Sequence, residues 1–560
     1  MENLKPDELP NILPGQSLLG KEWHGLFETK VDFSSKHFKK AMLNLIREPN
    51  INSTVILRAD ILIENDYIDK SFVDKASDHI DLPNMENKEN SVLTKNIDDT
   101  TVRTIPLSSN LKLVPALEIV RRIIPRNPFK DCIINQTCLL LQDSLNDDAE
   151  VTQSLIVYVA HLDDPEDIPF YLPCVKAVAL FFDKGSLSVH YLPFDIEEVQ
   201  KWKPTDRPVR TAYRLLKTCK KHSEGVMSGY EKRVNHDLIV PKEDFQNRYI
   251  SLKRKYSKNL VDNWKESTDP RKHVFEDLAI AAFLIELWSQ KYPSKDSFQF
   301  RDLGCGNGLL VYILIMEGYH GMGIDARRRK SWDSYPESIQ ENLLEQVIIP
   351  SVLLRPHPAM IAVNPYLTDN GCIFQVPVPL KHIHDTTSRS LIDSNVPIMA
   401  YYSSATLLES PHVNTAEFPP NTFLIGNHSD ELTCWMPLLR FPFLVIPCCS
   451  HALDGSKARF PPRKVKRNDK VQPTSFQSAS SYAGLVDHVE DLATQVGWKV
   501  EKEMLRIPST RNAALIGFDC LNPETDGPFK SIYEILAMEG GAEGWVENAM
   551  ALSSRSPRGH

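Results

Sequence analysis

The chain has 560 residues, 42% of them hydrophobic and 24% charged, with a formal net charge of -9. That length suits roughly two to four domains, and the acidic balance excludes a uniformly basic nucleic-acid coat while leaving room for local basic faces. Ten cysteines without a CxxC pair exclude a disulfide framework, and apolar runs of about half the ~20 residues that a membrane helix needs exclude a span; with an acidic, proline-broken N-terminus, a cytoplasmic protein with no membrane partner is expected.

In chain order, residues 1–74 form an N-terminal segment. The polar, aromatic-free stretch "KASDHIDLPNMENKENSVLTKNIDDTT" can bury little apolar area, which predicts a disordered linker over 75–105. Over 106–200 the β-branched and aromatic runs "SLIVYVAHL", "VKAVALFFD" and "LSVHYLPF" predict strands of an α+β domain. From Lys201 to His273 there are 19 Lys or Arg against 9 Asp or Glu, interleaved with Tyr213, Tyr230, Tyr249, Tyr256 and Trp264. This predicts a basic helical region over 201–268, either a solvated surface or a face that tracks phosphates.

The third block runs over 269–525. Asp269 and Pro270 have the chemistry of a helix start, and "HVFEDLAIAAFLIELW" is apolar almost all round, hence a buried helix. A strand, glycine turn, helix, strand unit follows in "FRDLGCGNG", "GLLVYILIMEGY" and "HGMGIDA". Further strands at "NTFLIGNHSDE" and "FPFLVIPCCS", a helix at "YAGLVDHVEDLATQVGW", and the closing pair "VEKEMLRIPST" and "NAALIGFDC" predict an α/β fold. Its sheet is expected to be mostly parallel with a terminal antiparallel hairpin, preceded by the N-terminal α+β and helical region. A basic loop interrupts it over 456–480, and 526–560 reads as a tail.

The glycine turn selects among ligands. A P-loop needs a GK[ST] ending, but Gly308 is followed by Leu309 and Leu310; a dinucleotide fingerprint needs a third glycine or alanine where Leu309 stands. The remaining pattern, Asp302, Gly304, Gly306, Asn307 and Gly308, resembles motif I of class I S-adenosylmethionine-dependent methyltransferases, whose sheet is Rossmann-like. In that resemblance the glycines let the backbone approach S-adenosylmethionine, and Asp325, 23 residues after Asp302, is the ribose partner.

Five stretches together are specific: Tyr256 to Trp288, Phe300 to Trp332, "FLIGNHSDELTCWMPLL", "VIPCCSHALDG" and "LRIPSTRNAALIG". They resemble the eukaryotic tRNA (uracil-2′-O)-methyltransferase family, in its fungal form, that modifies uridine 44 of serine tRNA. The resemblance implies methyl transfer from S-adenosylmethionine to a ribose 2′-hydroxyl of tRNA. A methyltransferase acting on an RNA base or a protein, and an RNA-binding protein with a degenerate pocket, stay as alternatives.

A 2′-hydroxyl is a poor nucleophile near neutral pH, so its proton needs an acceptor or a cation nearby. Two turns sit where the sheet would end. In the first, Asn427, His428 and Asp430 are the catalytic candidates, with His428 or Asp430 on the proton path; the other reading is that Ser429 or Asp430 caps a following helix. In the second, Cys448, Cys449, Ser450 and His451 fall short of a zinc ligand set, so no metal is expected. Lys457, Arg459, Arg506 and Arg511 are candidates for phosphate or hydroxyl contact. "KARFPPRKVKRNDK", with seven basic residues and one acid, is a cationic loop suited to an RNA backbone.

Overall fold

A computed structural model describes residues 17–75, 92–145, 151–230, 236–378, 398–463, 481–521 and 527–553. The chain divides into two compact units, Met1–Arg233 and Val234–His560.

The N-terminal unit is built on nine strands: β1 (His24–Lys30), β2 (Ile56–Asp66), β3 (Ser71–Asp74), β4 (Thr94–Lys95), β5 (Val114–Pro125), β6 (Ile133–Gln142), β7 (Gln153–Ala160), β8 (Ala177–Asp183) and β9 (Ser186–Leu192). Their order is β1-β9-β8-β7-β6-β5-β2-β3, with every neighbour antiparallel and β4 paired parallel to β6. Helices α1 (Ser35–Arg47) and α3 (Arg207–Met227) cover one face, and the short α2 (Ile196–Val199) lies between β9 and α3 in the chain. Phe38, Met42 and Leu45 of α1 and Val209 and Leu216 of α3 share a core with Ile119, Leu140 and Leu180 of the sheet.

Two expected boundaries shift here. The segment 1–74 is not separate from 106–200: β2 pairs with β5 and β1 with β9, so both lie in one sheet. The described part of the expected linker, 92–105, is ordered, because Val102 and Ile105 pack on Leu139, Leu155 and Val157; residues 76–91 lie outside the described residues. Apolar residues spaced among polar ones gave that stretch the low mean hydropathy of a linker, while its few apolar side chains cover the sheet.

The C-terminal unit opens with α4 (Lys242–Asp262) and α5 (Pro270–Lys291). The expected basic helical region is therefore divided: α3 belongs to the first unit and α4 to the second. As predicted, Asp269 caps α5 by accepting from the Arg271 amide at 2.9 Å, and α5 is buried along most of its length. There follow β10 (Gln299–Leu303), α6 (Leu309–Met316), β11 (Gly321–Asp325), α7 (Glu337–Gln340), β12 (Leu343–Glu345), β13 (Val347–Ile348), α8 (Pro358–Val363), β14 (Ile373–Val378), β15 (Ile398–Ser403), α9 (Ser404–Glu409), β16 (Val413–Asn414), β17 (Thr422–Asn427), β18 (Phe443–Ile446), α10 (Ser481–Gln495), β19 (Trp498–Met504), β20 (Ala513–Cys520), α11 (Ile532–Met538) and α12 (Trp545–Leu552).

Seven of these strands form one sheet, β12-β11-β10-β17-β18-β20-β19. Neighbours from β12 to β18 are parallel, and β20 runs antiparallel to both β18 and β19. The period of two sends alternate side chains to two cores. Phe423, Ile425, Leu444 and Ile516 face α5 and α6; Leu424, Phe443, Val445 and Leu515 face α10 and α12. The expected tail over 526–560 is in part structural, since Ile535, Trp545, Val546 and Ala549 complete the second core. Parallel strands bring the carboxyl ends of β10, β11 and β17 to one edge, where a site can form. Among the described residues no helix is long and apolar enough to cross a membrane, and all ten cysteines are free.

Candidate active site

A cleft of about 600 Å³ lies at that edge. Its floor is the turn after β10. Gly304, Gly306 and Gly308 all have positive φ (79°, 53° and 74°), a conformation in which L side chains are strained. At Gly306 an added Cβ would meet nothing within 4 Å, so the backbone is bare toward the cleft. The turn is braced from outside it: Trp332 Nε1 donates to the Gly306 carbonyl at 3.0 Å and the Tyr335 hydroxyl to that of Asn307 at 3.1 Å. Asn307 Oδ1 accepts from the Leu309 amide at 2.9 Å, which starts α6.

Asp325 ends β11 and faces the same turn. Its Oδ2 accepts from the Gly306 amide at 2.9 Å and its Oδ1 from the Arg327 amide at 3.0 Å, with Arg329 3.6 Å away. Burial raises its pKa, against the pull of Arg329. Asp302, on β10, is 1% exposed, and its Oδ1 has no hydrogen-bond partner among the described residues. Burial first, then the charges of Asp277 and Asp325, hold its carboxyl well above the usual carboxylate range.

The turn after β17 lines the same cleft beside the glycine turn, with Ser429 packed against Gly304. Asn427 Nδ2 donates to Asp277 Oδ1 at 3.1 Å, and His428 Nε2 lies 3.0 Å from Glu276 Oε1. Both acids sit on α5. Burial, then the neighbouring Glu276 charge, pushes Asp277 up to about 8 despite the Asn427 bond. Glu276 goes the other way: burial works to raise its pKa, but the hydrogen bond and charge of His428 outweigh it and lower it. Two buried acids inside an apolar helix were the signal in "HVFEDLAIAAF", because a buried charge must have a partner or a purpose; reading the run for hydropathy alone missed them.

The structure brings all nine expected site residues to this edge; seven of them line the cleft, while Gly308 packs toward Leu343 and Trp332 and Asp302 lies beneath with its buried carboxyl. It separates the three catalytic candidates. Asn427 and His428 spend their side chains on α5, and His428 Nδ1 is buried without a partner among the described residues. Asp430 is half-exposed to the cleft and accepts from the Cys448 thiol at 2.8 Å. The capping alternative is not realised: Asp430–Leu432 is a single 3-10 turn whose N-cap, Ser429, makes no side-chain cap bond. His428 and Asp430 take positive φ (53° and 44°) without being glycine, backbone strain that the anchoring to α5 holds in place.

Burial and then the Asp430 charge push the Cys448 thiol up. Asp430, Cys448 and Cys449 could offer ligand atoms within 4.8 Å of one another, yet the Arg511 guanidinium donates to Cys449 Sγ at 3.6 Å and opposes a cation there. Of the expected cationic contacts, Arg511 lines the cleft with Ser509 and Thr510. Arg506 instead grips Asp237 through two hydrogen bonds of 2.7 and 2.5 Å, and Lys457 and Arg459 do not line the cleft. Arg463 of the cationic loop pairs with Glu490 and Asp491 on α10; residues 464–480 lie outside the described residues.

Residues 239–350 match the family "Predicted AdoMet-dependent methyltransferase", and residues 3–233 match "TRM44-like, N-terminal bet v1-like domain". The chain is 54% identical to a tRNA (uracil-O(2)-)-methyltransferase of Debaryomyces hansenii, covering 98% of each, and 52% identical to that of Saccharomyces cerevisiae, covering 100% of this chain and 98% of the relative. A Neurospora crassa protein of the same name is 36% identical over 99% of this chain and 98% of its own. The chain belongs to the tRNA (uracil-O(2)-)-methyltransferase family. No solved structure matches.

The methyl donor of an AdoMet-dependent methyltransferase is S-adenosylmethionine, and the residues here fit it. The bare Gly306 backbone and the two oxygens of Asp325 supply close approach and acceptors for ribose hydroxyls, and the Oδ1 of Asp302 beneath the turn is an acceptor without a partner among the described residues. Bound there, the cofactor supplies an electrophilic methyl group on sulfur.

Proposed function

We propose that the chain, acting in the cytoplasm on a Rossmann-like class I methyltransferase sheet, methylates the ribose 2′-oxygen of a uridine in tRNA, uridine 44 of serine tRNA. The observation that carries this reading is the joining, in one cleft, of the cofactor turn with Asp325 and the turn that presents Asp430. The work of the residues divides accordingly. Asp302, Asp325 and the glycine backbone hold the donor. Asp430 faces the acceptor, where its carboxylate takes up the hydroxyl proton as the oxygen attacks.

Asn427 and His428 act as positioning residues. Each ties the β17 turn to α5, so the strained backbone that aims Asp430 is fixed by Asp277 and Glu276. Cys448 donates to Asp430 and limits the directions its carboxylate can take. Arg511, at the rim with Ser509 and Thr510, has the charge and hydrogen-bond fork to meet a phosphate beside the target nucleotide.

The test is incubation with methyl-labelled cofactor and total tRNA, followed by alkaline digestion. Label in an alkali-resistant dinucleotide is expected, because a methylated 2′-oxygen cannot attack the adjacent phosphate. Label in mononucleotides would mean a base, and label in protein alone would reject RNA as acceptor.

A further inference from the structure

Helix α3 presents two opposite faces. Val209, Ala212, Leu216, Cys219 and Ser223 are buried against the N-terminal sheet. Arg207, Arg210, Arg214, Lys217 and Lys221 are exposed. At ~100° per residue these five cations fall within an arc of roughly 80° centred opposite the buried row, and they run about 21 Å along the helix.

None of the five forms an ion pair among the described residues; Arg207 stacks on the Phe170 ring at 3.7 Å. The adjoining Lys220 is different, since it turns to Glu224 at 4.0 Å and to the Lys30 carbonyl at 3.2 Å. Like charges at i,i+3 and i,i+4 destabilise a helix, so the stripe costs stability until an anion covers it.

We propose that this stripe is a docking face for the sugar-phosphate backbone of tRNA, carried by the N-terminal unit while the methyl-transfer cleft belongs to the C-terminal unit. Three features select RNA. The cations recur every ~5 Å along the axis, on the scale of successive backbone phosphates. Arginine supplies three of the five, and its fork suits phosphate. The apolar face of the helix is consumed by the core, so it has nothing to insert into a lipid surface.

The stripe carries no base-reading group of its own. It therefore adds affinity without sequence choice, which remains with the cleft. This inference rests on the proposed tRNA substrate, and the experiment separates the two.

In the full chain, Arg210, Arg214 and Lys217 are changed together to Gln, which keeps helix propensity and length. Binding of tRNA is measured from about 50 to 200 mM salt, the range over which phosphate contacts are most sensitive. The triple variant is expected to bind at least ~10-fold more weakly at the low-salt end, and its log K against log salt slope to flatten by about 2 to 3, close to 0.7–0.9 per contact removed. At saturating tRNA its turnover and its S-adenosylmethionine affinity stay at wild-type values, which also shows that it folds. Arg214→Lys retains most of the binding.

An unchanged slope and affinity in the triple variant would overturn the proposal. So would a loss confined to vesicles of anionic lipid or to an acidic protein, with tRNA binding intact. If wild type binds tRNA through the stripe but transfers no methyl to it, the proposed function fails and the docking face stands; if it methylates tRNA with the slope unaffected by the variant, the reverse holds.

Discussion

The turns after β10 and β17 leave neighbouring parallel strands and open on the same cleft, yet they are built by opposite means. The first is glycine-rich: three left-handed positions are taken by the residue that adopts them without strain, and local bracing from Trp332 and Tyr335 finishes it. The second puts His428 and Asp430 into left-handed backbone, and α5, some 150 residues earlier, holds the turn by Asp277 on Asn427 and Glu276 on His428. A donor site that receives one invariant cofactor can be made of bare backbone. An acceptor site needs a side chain at the point of strain, so its cost is met by tertiary contacts.

Substitutions on the donor and acceptor sides are expected to have separable effects. The largest effect is expected from Asp430→Asn, which removes the proton acceptor and leaves the shape: methyl transfer should slow by about 10²–10⁴, measured in a single-turnover assay. Next, Asp325→Ala strips two acceptor oxygens from the cofactor side; S-adenosylmethionine affinity should fall by roughly 100-fold, about 3 kcal/mol, in a calorimetric titration.

A smaller effect follows from Asp277, whose carboxyl is pushed up to about 8 by burial and Glu276. A cationic ligand favours its ionised form, so cofactor affinity should climb as pH rises toward 8 and level off above, by at most ~10-fold per unit. Calorimetry in buffers of different ionisation heat would count the proton released, and Asp277→Asn should flatten the profile. Stability moves the other way. The folded chain keeps a proton that the unfolded chain loses above its ordinary pKa of 3.8, so this group's contribution falls as pH rises from about 4 to 8. Smallest is His428→Ala, which loses the bond to Glu276 at a left-handed position; about 1–2 kcal/mol of stability should go, read from denaturant midpoints.

How much of this was legible follows the same division. Motif I, the closing strand pair and the cap at Asp269 were readable because each is encoded within a few residues. The pairing of β2 with β5, across the stretch expected to be a linker, was not, since strand partnership is set by long-range burial. The split of the basic region between α3 and α4 was hidden because charge counts run through a domain boundary, whereas the row of Arg207, Arg210, Arg214, Lys217 and Lys221 appears once the helix phase is known. Asp430 was among the candidates, but its distinction from His428 required the side-chain partners.

The division of labour between the two turns is tested most directly by single-turnover methyl transfer to tRNA at rising S-adenosylmethionine concentration, run on Asp325→Ala and Asp430→Asn side by side. The account predicts that Asp325→Ala approaches the wild-type rate at saturating cofactor, while Asp430→Asn stays slow at every concentration. Recovery of Asp430→Asn with added cofactor, or an Asp325→Ala rate that stays low at saturation, would contradict it.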